Sequence, residues 1–237
     1  MSSNESMRGL RAIVVIPAYN EEQNILTTVR SVIAAGFDYV VINDGSRDHT
    51  SKVCHENGLN VVDLPVNLGI GGAVQTGHKY ALEHGYDIDI QLDGDGQHDP
   101  RYLPDLVAAI ESGADLAIGS RFLIRTEGFQ STFMRRVGIT WISACLRLLT
   151  GRQITDPTSG FRACGPRALA LFCDSYPSDY PEPESIAFAM RQGLSVTELS
   201  VEMRDRQGGV SSIGGLSSVY YMVKVTFAMV LARFSRR

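Results

Sequence analysis

The chain has 237 residues, long enough to close one hydrophobic core without disulfides, since a domain of this size buries roughly 70% of its extended-chain surface. Its composition, 44% hydrophobic and 20% charged, is that of a folded protein and excludes a disordered one. The formal net charge of -4 disfavours a general nucleic-acid binder, which needs a basic face. Cys54, Cys145, Cys164 and Cys173 form no CxxC pair and show no zinc spacing, so buried free thiols are expected.

The opening residues, MSSNESMRGLR, are polar and lack the apolar stretch of a secretory signal; residues 1–10 are expected to form a flexible tail. Residues 11–17, RAIVVIP, are apolar without alternation, the pattern of a strand buried on both faces. Asn20 with Gln23 reads as a helix cap and its capping-box partner, followed by the stripe Ile25, Leu26, Val29, Val32 and Ile33. A strand over 39–42, a helix over 48–57 and a strand over 59–64 follow, then a helix over 70–84 and a strand over 87–92. A helix over 100–112 and a strand over 114–119 complete the regular part. This alternation predicts an α/β fold with a mainly parallel sheet flanked by helices. The second half is less regular: a long helix over 131–150, a glycine- and proline-containing connection over 154–164, and helices over 166–172 and 183–192. A strand over 194–203, a polar loop over 204–215 and an apolar last helix over 216–234 end the chain. No repeat or linker interrupts it, so residues 1–237 are expected to form one domain.

Ligands bind parallel sheets at the carboxyl ends of the strands. The chemically informative segments, 17–21, 43–48 and 93–99, all sit there. Asp93 and Asp95, separated only by Gly94, can turn two carboxylates toward one hard cation, and Gln97 adds a neutral oxygen. Such a donor set suits Mg2+ or Mn2+, and an ion there would neutralise a diphosphate leaving group. An ordinary Asp/Gly surface turn is the plainer alternative. The glycine-rich segment 67–73 matches neither phosphate-loop pattern; its glycines serve either close packing or contact with a phosphate.

Six segments occur in order: Ile16 to Glu22, Ile42 to Asp48, Asn67-Leu68-Gly69 with Gly72, Asp93-Gly94-Asp95, Gly119-Ser120-Arg121, and Asp156 to Arg162. Together they resemble the family 2 glycosyltransferases, whose fold is GT-A. The resemblance is strongest toward the dolichyl- or polyprenyl-phosphate mannosyltransferase-like branch, and it covers residues 11 to about 165 well. It implies an inverting, metal-dependent transfer of a hexose from a UDP- or GDP-linked donor to a polyprenyl phosphate. Pro17, Ala18, Tyr19 and Glu21 would line the nucleotide pocket, with Asp44 and Asn43 near the base. The family more often has aspartate at Asn43. Gly72 matches the third segment and Gly94 the metal motif. Asp93 would lie at the diphosphate and metal, with Asp95 and Gln97 as ligands. Arg121, Arg162 and, from the polar loop, Arg206 would meet phosphate or acceptor.

A hydroxyl acceptor needs a general base, whereas a lipid phosphate is already an anion. Asp156 is the first candidate base, with a turn aspartate as its plain alternative; Glu182 and Glu184 come second. The last helix, closed by Arg233, Arg236 and Arg237, suits peripheral contact with a membrane's cytoplasmic face or with a second copy of the chain. Three alternatives stay open: transfer to a hydroxyl of a cell-envelope polysaccharide or glycolipid, a nucleotidyltransferase, and a non-catalytic nucleotide-sugar-binding module.

Overall fold

The computed structural model describes residues 9–123, 133–178, 180–204, 224 and 226. The strands are β1 (Ala12–Ala18), β2 (Asp38–Asn43), β3 (Val61–Asp63), β4 (Ile88–Gln91), β5 (Leu116–Ser120), β6 (Arg162–Cys164) and β7 (Val196–Ser200). The helices are α1 (Ile25–Ala34), α2 (Thr50–Glu56), α3 (Gly69–Glu83), α4 (Leu103–Glu111), α5 (Phe133–Thr150), α6 (Pro166–Asp174) and α7 (Pro181–Arg191). The strands form one sheet in the order β3-β2-β1-β4-β6-β5-β7. All neighbours are parallel except at β6, which runs antiparallel to both β4 and β5. This is the α/β GT-A architecture that the sequence implied.

The sheet is buried on both faces. Val14, Ile16, Val41, Ile88 and Ile90 pack into one apolar layer with Val29 and Val32 of α1 and Leu103 and Leu106 of α4. Ile13, Val15, Val40 and Ile42 pack with Ala73 and Ala81 of α3 and Leu169 of α6 in the other. Each such side chain taken fully from water contributes roughly 1.5–3 kcal/mol. A third cluster joins α5, α6 and α7 to Leu116 and Ile118 of β5. Gly77 is where α3 touches the sheet, since a Cβ there would stand 2.1 Å from Val15 Cγ1.

Two expectations are corrected. The expected connection over 154–164 contains β6. A three-residue strand with a charged residue at its start is too short to show periodicity, and only its neighbours hold it. The Asn20–Gln23 capping box does not form. Asn20 adopts a left-handed φ of 58°, its Oδ1 accepts from Arg47 N at 2.8 Å, and α1 begins only at Ile25. Elsewhere the ends shift by a few residues: the expected helix over 100–112 is a 3-10 turn, Pro100–Tyr102, followed by α4. Residues 1–8 of the tail, the loop beyond Arg204 and all of the last helix but Lys224 and Thr226 lie outside the described residues. Trp141 Nε1 of α5 donates to Thr226 Oγ1 at 2.9 Å. No described helix is long and apolar enough to cross a membrane.

Candidate active site

A cleft of about 720 Å³ opens at the carboxyl ends of β1, β2 and β4. Pro17, Ala18, Tyr19, Glu21, Asp44, Asp93, Gly94 and Asp95 all line it, together with Glu182 from the first turn of α7. The sequence scatters these residues over more than 160 positions; the parallel ladder brings them together because each strand delivers its last residue to the same edge.

The loops after β1 and β2 clasp each other through side chains. Ser46 Oγ accepts from Asn20 N at 3.0 Å, Thr50 Oγ1 from Glu21 N at 2.8 Å, and Asp48 Oδ2 from Glu22 N at 3.1 Å. Burial alone would raise the Asp48 carboxyl, but hydrogen bonds from the Thr50 hydroxyl and from backbone amides prevail and hold it below the usual carboxylate range. Asp44 is buried at the cleft wall, where its Oδ1 accepts from Leu68 N at 2.7 Å. Gly45 is required there: φ is 62°, and a Cβ would lie 2.8 Å from Asn67 N.

The acidic segment after β4 is fastened from three sides. Asp93 N donates to His98 Nδ1 at 3.0 Å, and the His98 ring stacks on Phe161 with centroids 4.8 Å apart. Burial pushes His98 down, against the opposing pull of Asp93 and Asp95. Gly94 O accepts from Thr28 Oγ1 at 3.1 Å, and a Cβ on Gly94 would come within 3.1 Å of Pro17 O. Gly160 sits behind Asp93, with space for a Cβ only 3.1 Å from its Oδ1. Asp93 and Asp95 thus present oxygen donors to the cleft in a close backbone cradle, a set that fits Mg2+ or Mn2+ and not a softer ion.

Other expected site residues lie elsewhere. Gln97 is outside the cleft lining; its carbonyl accepts from Arg204 N at 2.9 Å, tying the chain after β7 to the acidic segment. Asn43 donates from Nδ2 to Asp63 Oδ1 at 2.6 Å and so joins β2 to β3. Gly72 is a packing glycine, because a Cβ would meet Leu68 Cβ at 2.4 Å. Arg121 and Asp156, expected at the acceptor, are each other's partner. Arg121 Nε and Nη2 reach the two carboxylate oxygens at 2.6 and 2.7 Å, with side chains 5% and 0% exposed. In the structure each group is therefore occupied by the other. Arg162 lies in β6 and points into the protein, bonded to Ser159 O, to Glu182 O at 3.2 Å and to Ser185 Oγ at 2.9 Å. Arg206 lies outside the described residues.

Sequence reasoning missed His98, Thr28, Gly160 and Glu198. His98 stands inside the acidic segment and was legible as a neighbour. Glu198 had no signal: it accepts from Thr155 N and Asp156 N at 2.8 and 2.9 Å only because β7 lies beside β5.

A seven-stranded sheet with one reversed strand, a strand-end cleft and a carboxylate pair at its floor define a nucleotide-sugar transferase of the GT-A type. The chain belongs to glycosyl transferase family 2, which it matches over residues 13–169. It is 30% identical over 247 residues to polyprenol monophosphomannose synthase of Mycolicibacterium smegmatis, covering 95% of this chain and 89% of that one. It is also 30% identical over 218 residues to undecaprenyl-phosphate mannosyltransferase of Micrococcus luteus, covering 87% and 88%. Among solved structures it resembles glucosyl-3-phosphoglycerate synthase from Mycobacterium tuberculosis in complex with Mn2+, UDP and phosphoglyceric acid. The TM-score there is 0.72 at 21% identity, over 97% of this chain and 80% of that one. This likeness corrects the expected placement in the polyprenyl-phosphate mannosyltransferase-like branch. The structural match runs to an enzyme named for a phosphoglycerate product, and the two sequence relatives carry the family, not their branch.

Proposed function

We propose that this glycosyltransferase moves a hexose from a nucleoside diphosphate sugar, with inversion, onto a hydroxyl of a small phosphorylated acceptor. The observation that carries this reading is Glu182. It lines the same cleft as Asp93 and Asp95, at the start of α7. Burial raises its carboxyl above the usual range, with the Arg162 guanidinium working against that and Asp93 adding to it. A carboxylate shifted toward neutral pH is a stronger base, which a hydroxyl acceptor needs and a lipid phosphate does not. The likeness to glucosyl-3-phosphoglycerate synthase agrees with a phosphorylated, hydroxyl-bearing acceptor.

In this reading Asp93 and Asp95 hold the divalent cation, which when bound neutralises the departing diphosphate. Asp44, fixed by Leu68 N, meets the imide N–H of the base. Glu182 takes the acceptor hydroxyl proton as the oxygen attacks the anomeric carbon and the bond to the diphosphate breaks on the opposite side. Arg162, bonded to Glu182 O, positions that base.

Mass analysis of products tests this. The enzyme, UDP-glucose and Mn2+ are offered 3-phosphoglycerate, glycerol 3-phosphate or a polyprenyl phosphate. The expected product is a glycoside of a hydroxyl acceptor with release of UDP, and Glu182→Gln should lower kcat by about 10²-fold or more with donor binding kept. A sugar linked only to the polyprenyl phosphate, with full turnover by Glu182→Gln, would overturn the reading.

A further inference from the structure

The sheet face beneath α3 and α6 carries buried polar groups beside its apolar layer. Because side chains alternate along a strand, Ile88 and Ile90 of β4 enter one apolar layer and Asp89 points to the opposite face. Cys164 of β6 is the direct ladder partner of Asp89 in the antiparallel pair, so both side chains leave the sheet side by side. His78 descends on them from α3, its Nδ1 2.5 Å from Asp89 Oδ2. One ring nitrogen of His78, one carboxylate oxygen of Asp89 and the Cys164 sulfur all lie within 4.8 Å of one another, and all three residues are buried. The His78 ring is wedged between Phe172 and Tyr176, with centroids 5.5 and 4.9 Å away.

Hydrogen bonding accounts for only one side of this cluster, the contact between His78 Nδ1 and Asp89 Oδ2. His78 Nε2 and Asp89 Oδ1 are buried with no hydrogen-bond partner among the described residues. Buried polar atoms are nearly always paired, so two orphans in one place point to a ligand. We propose that His78, Asp89 and Cys164 form a second metal site, one that takes a single tetrahedral Zn2+ and staples β6 to β4 and α3.

The chemistry selects the ion. Nitrogen, oxygen and sulfur donors together are a zinc set, whereas the cleft offers oxygen alone, so softness sorts the two ions between the two places. One carboxylate and one thiolate balance a dication, which leaves the site neutral inside the core. An ion binding there would displace the Cys164 proton to solvent, since the thiolate is the ligand. A water would fill the fourth position. The staple lies two rungs from Gln91↔Arg162, and Arg162 holds Glu182 O, so it fixes the strand that positions the base.

The site is tested without donor or acceptor, so its failure and that of the transferase reading are separable. The Asp93→Asn/Asp95→Asn protein, which lacks the cleft carboxylates, is stripped with chelator and titrated with Co2+ and Zn2+. One ion per chain is expected, with a thiolate-to-cobalt charge-transfer band, tetrahedral cobalt bands in the visible and a Tm raised by Zn2+. Cys164→Ser should abolish the thiolate band, and His78→Gln should abolish the Zn2+-dependent rise in Tm. If Cys164→Ser does not fold, the titration of the parent decides alone. Absence of stoichiometric binding, absence of the thiolate band, or a band that survives Cys164→Ser would overturn the proposal.

Discussion

The two halves of the sheet position their site residues by different physics. On the β1–β2 side the interior is apolar, and the site residues stand on turns held by backbone amides, as with Asp44 on Leu68 N and Glu21 on Thr50. On the β6–β5 side charged groups are buried beside an apolar cluster. Arg121, Asp156 and Arg162 are buried there and held by charge and hydrogen-bond pairing.

The largest expected effect lies where the halves meet. Asp93→Asn or Asp95→Asn should cost at least about 10²-fold in kcat/KM, because the diphosphate loses its counter-charge; a steady-state assay across Mn2+ concentrations reads it. Equal turnover by these variants with chelator present would sink the enzyme reading itself. Next comes the charged half: Asp156→Ala leaves the Arg121 guanidinium buried without its carboxylate, at about 3–5 kcal/mol in urea unfolding. Replacing both partners by apolar residues of similar size should recover much of that loss; if it does not, pairing is not what holds this side.

The apolar half is probed by Gly77→Ala, whose methyl would overlap Val15. It should cost about 1–3 kcal/mol by overpacking, and Val15→Ala in the same chain should return part of it. An unchanged Tm for the single variant would mean that α3 does not pack against β1 as described.

The smallest effect is on pH. Since Glu182 is raised in the folded protein, its ionised form is disfavoured by folding. The associated destabilisation is present above the raised value and is relieved as pH falls through it. Activity moves the other way, because the base must be ionised, so kcat/KM should fall at a higher pH than for an ordinary glutamate. In Glu182→Gln that acid limb should vanish from the residual rate.

Much of the parallel half was legible in the sequence. Short apolar runs alternating with helical stripes determined the βαβ order, and strand-end motifs at 17–21, 43–48 and 93–95 determined where a ligand meets it. These signals are local, so they survive without knowledge of the fold. The polar half was not legible, because its meaning depends on who faces whom. Asp156 and Arg121 read as two separate groups until their 2.6 Å contact is seen. β6 is three residues long and exists only between β4 and β5. The cysteine spacing excluded a zinc motif along the chain, yet the antiparallel register sets Cys164 opposite Asp89. Order along the chain and apolar period were properties of the sequence alone; partnership among buried polar groups was decided by tertiary structure, since a desolvated charge takes its role from the neighbour that compensates it.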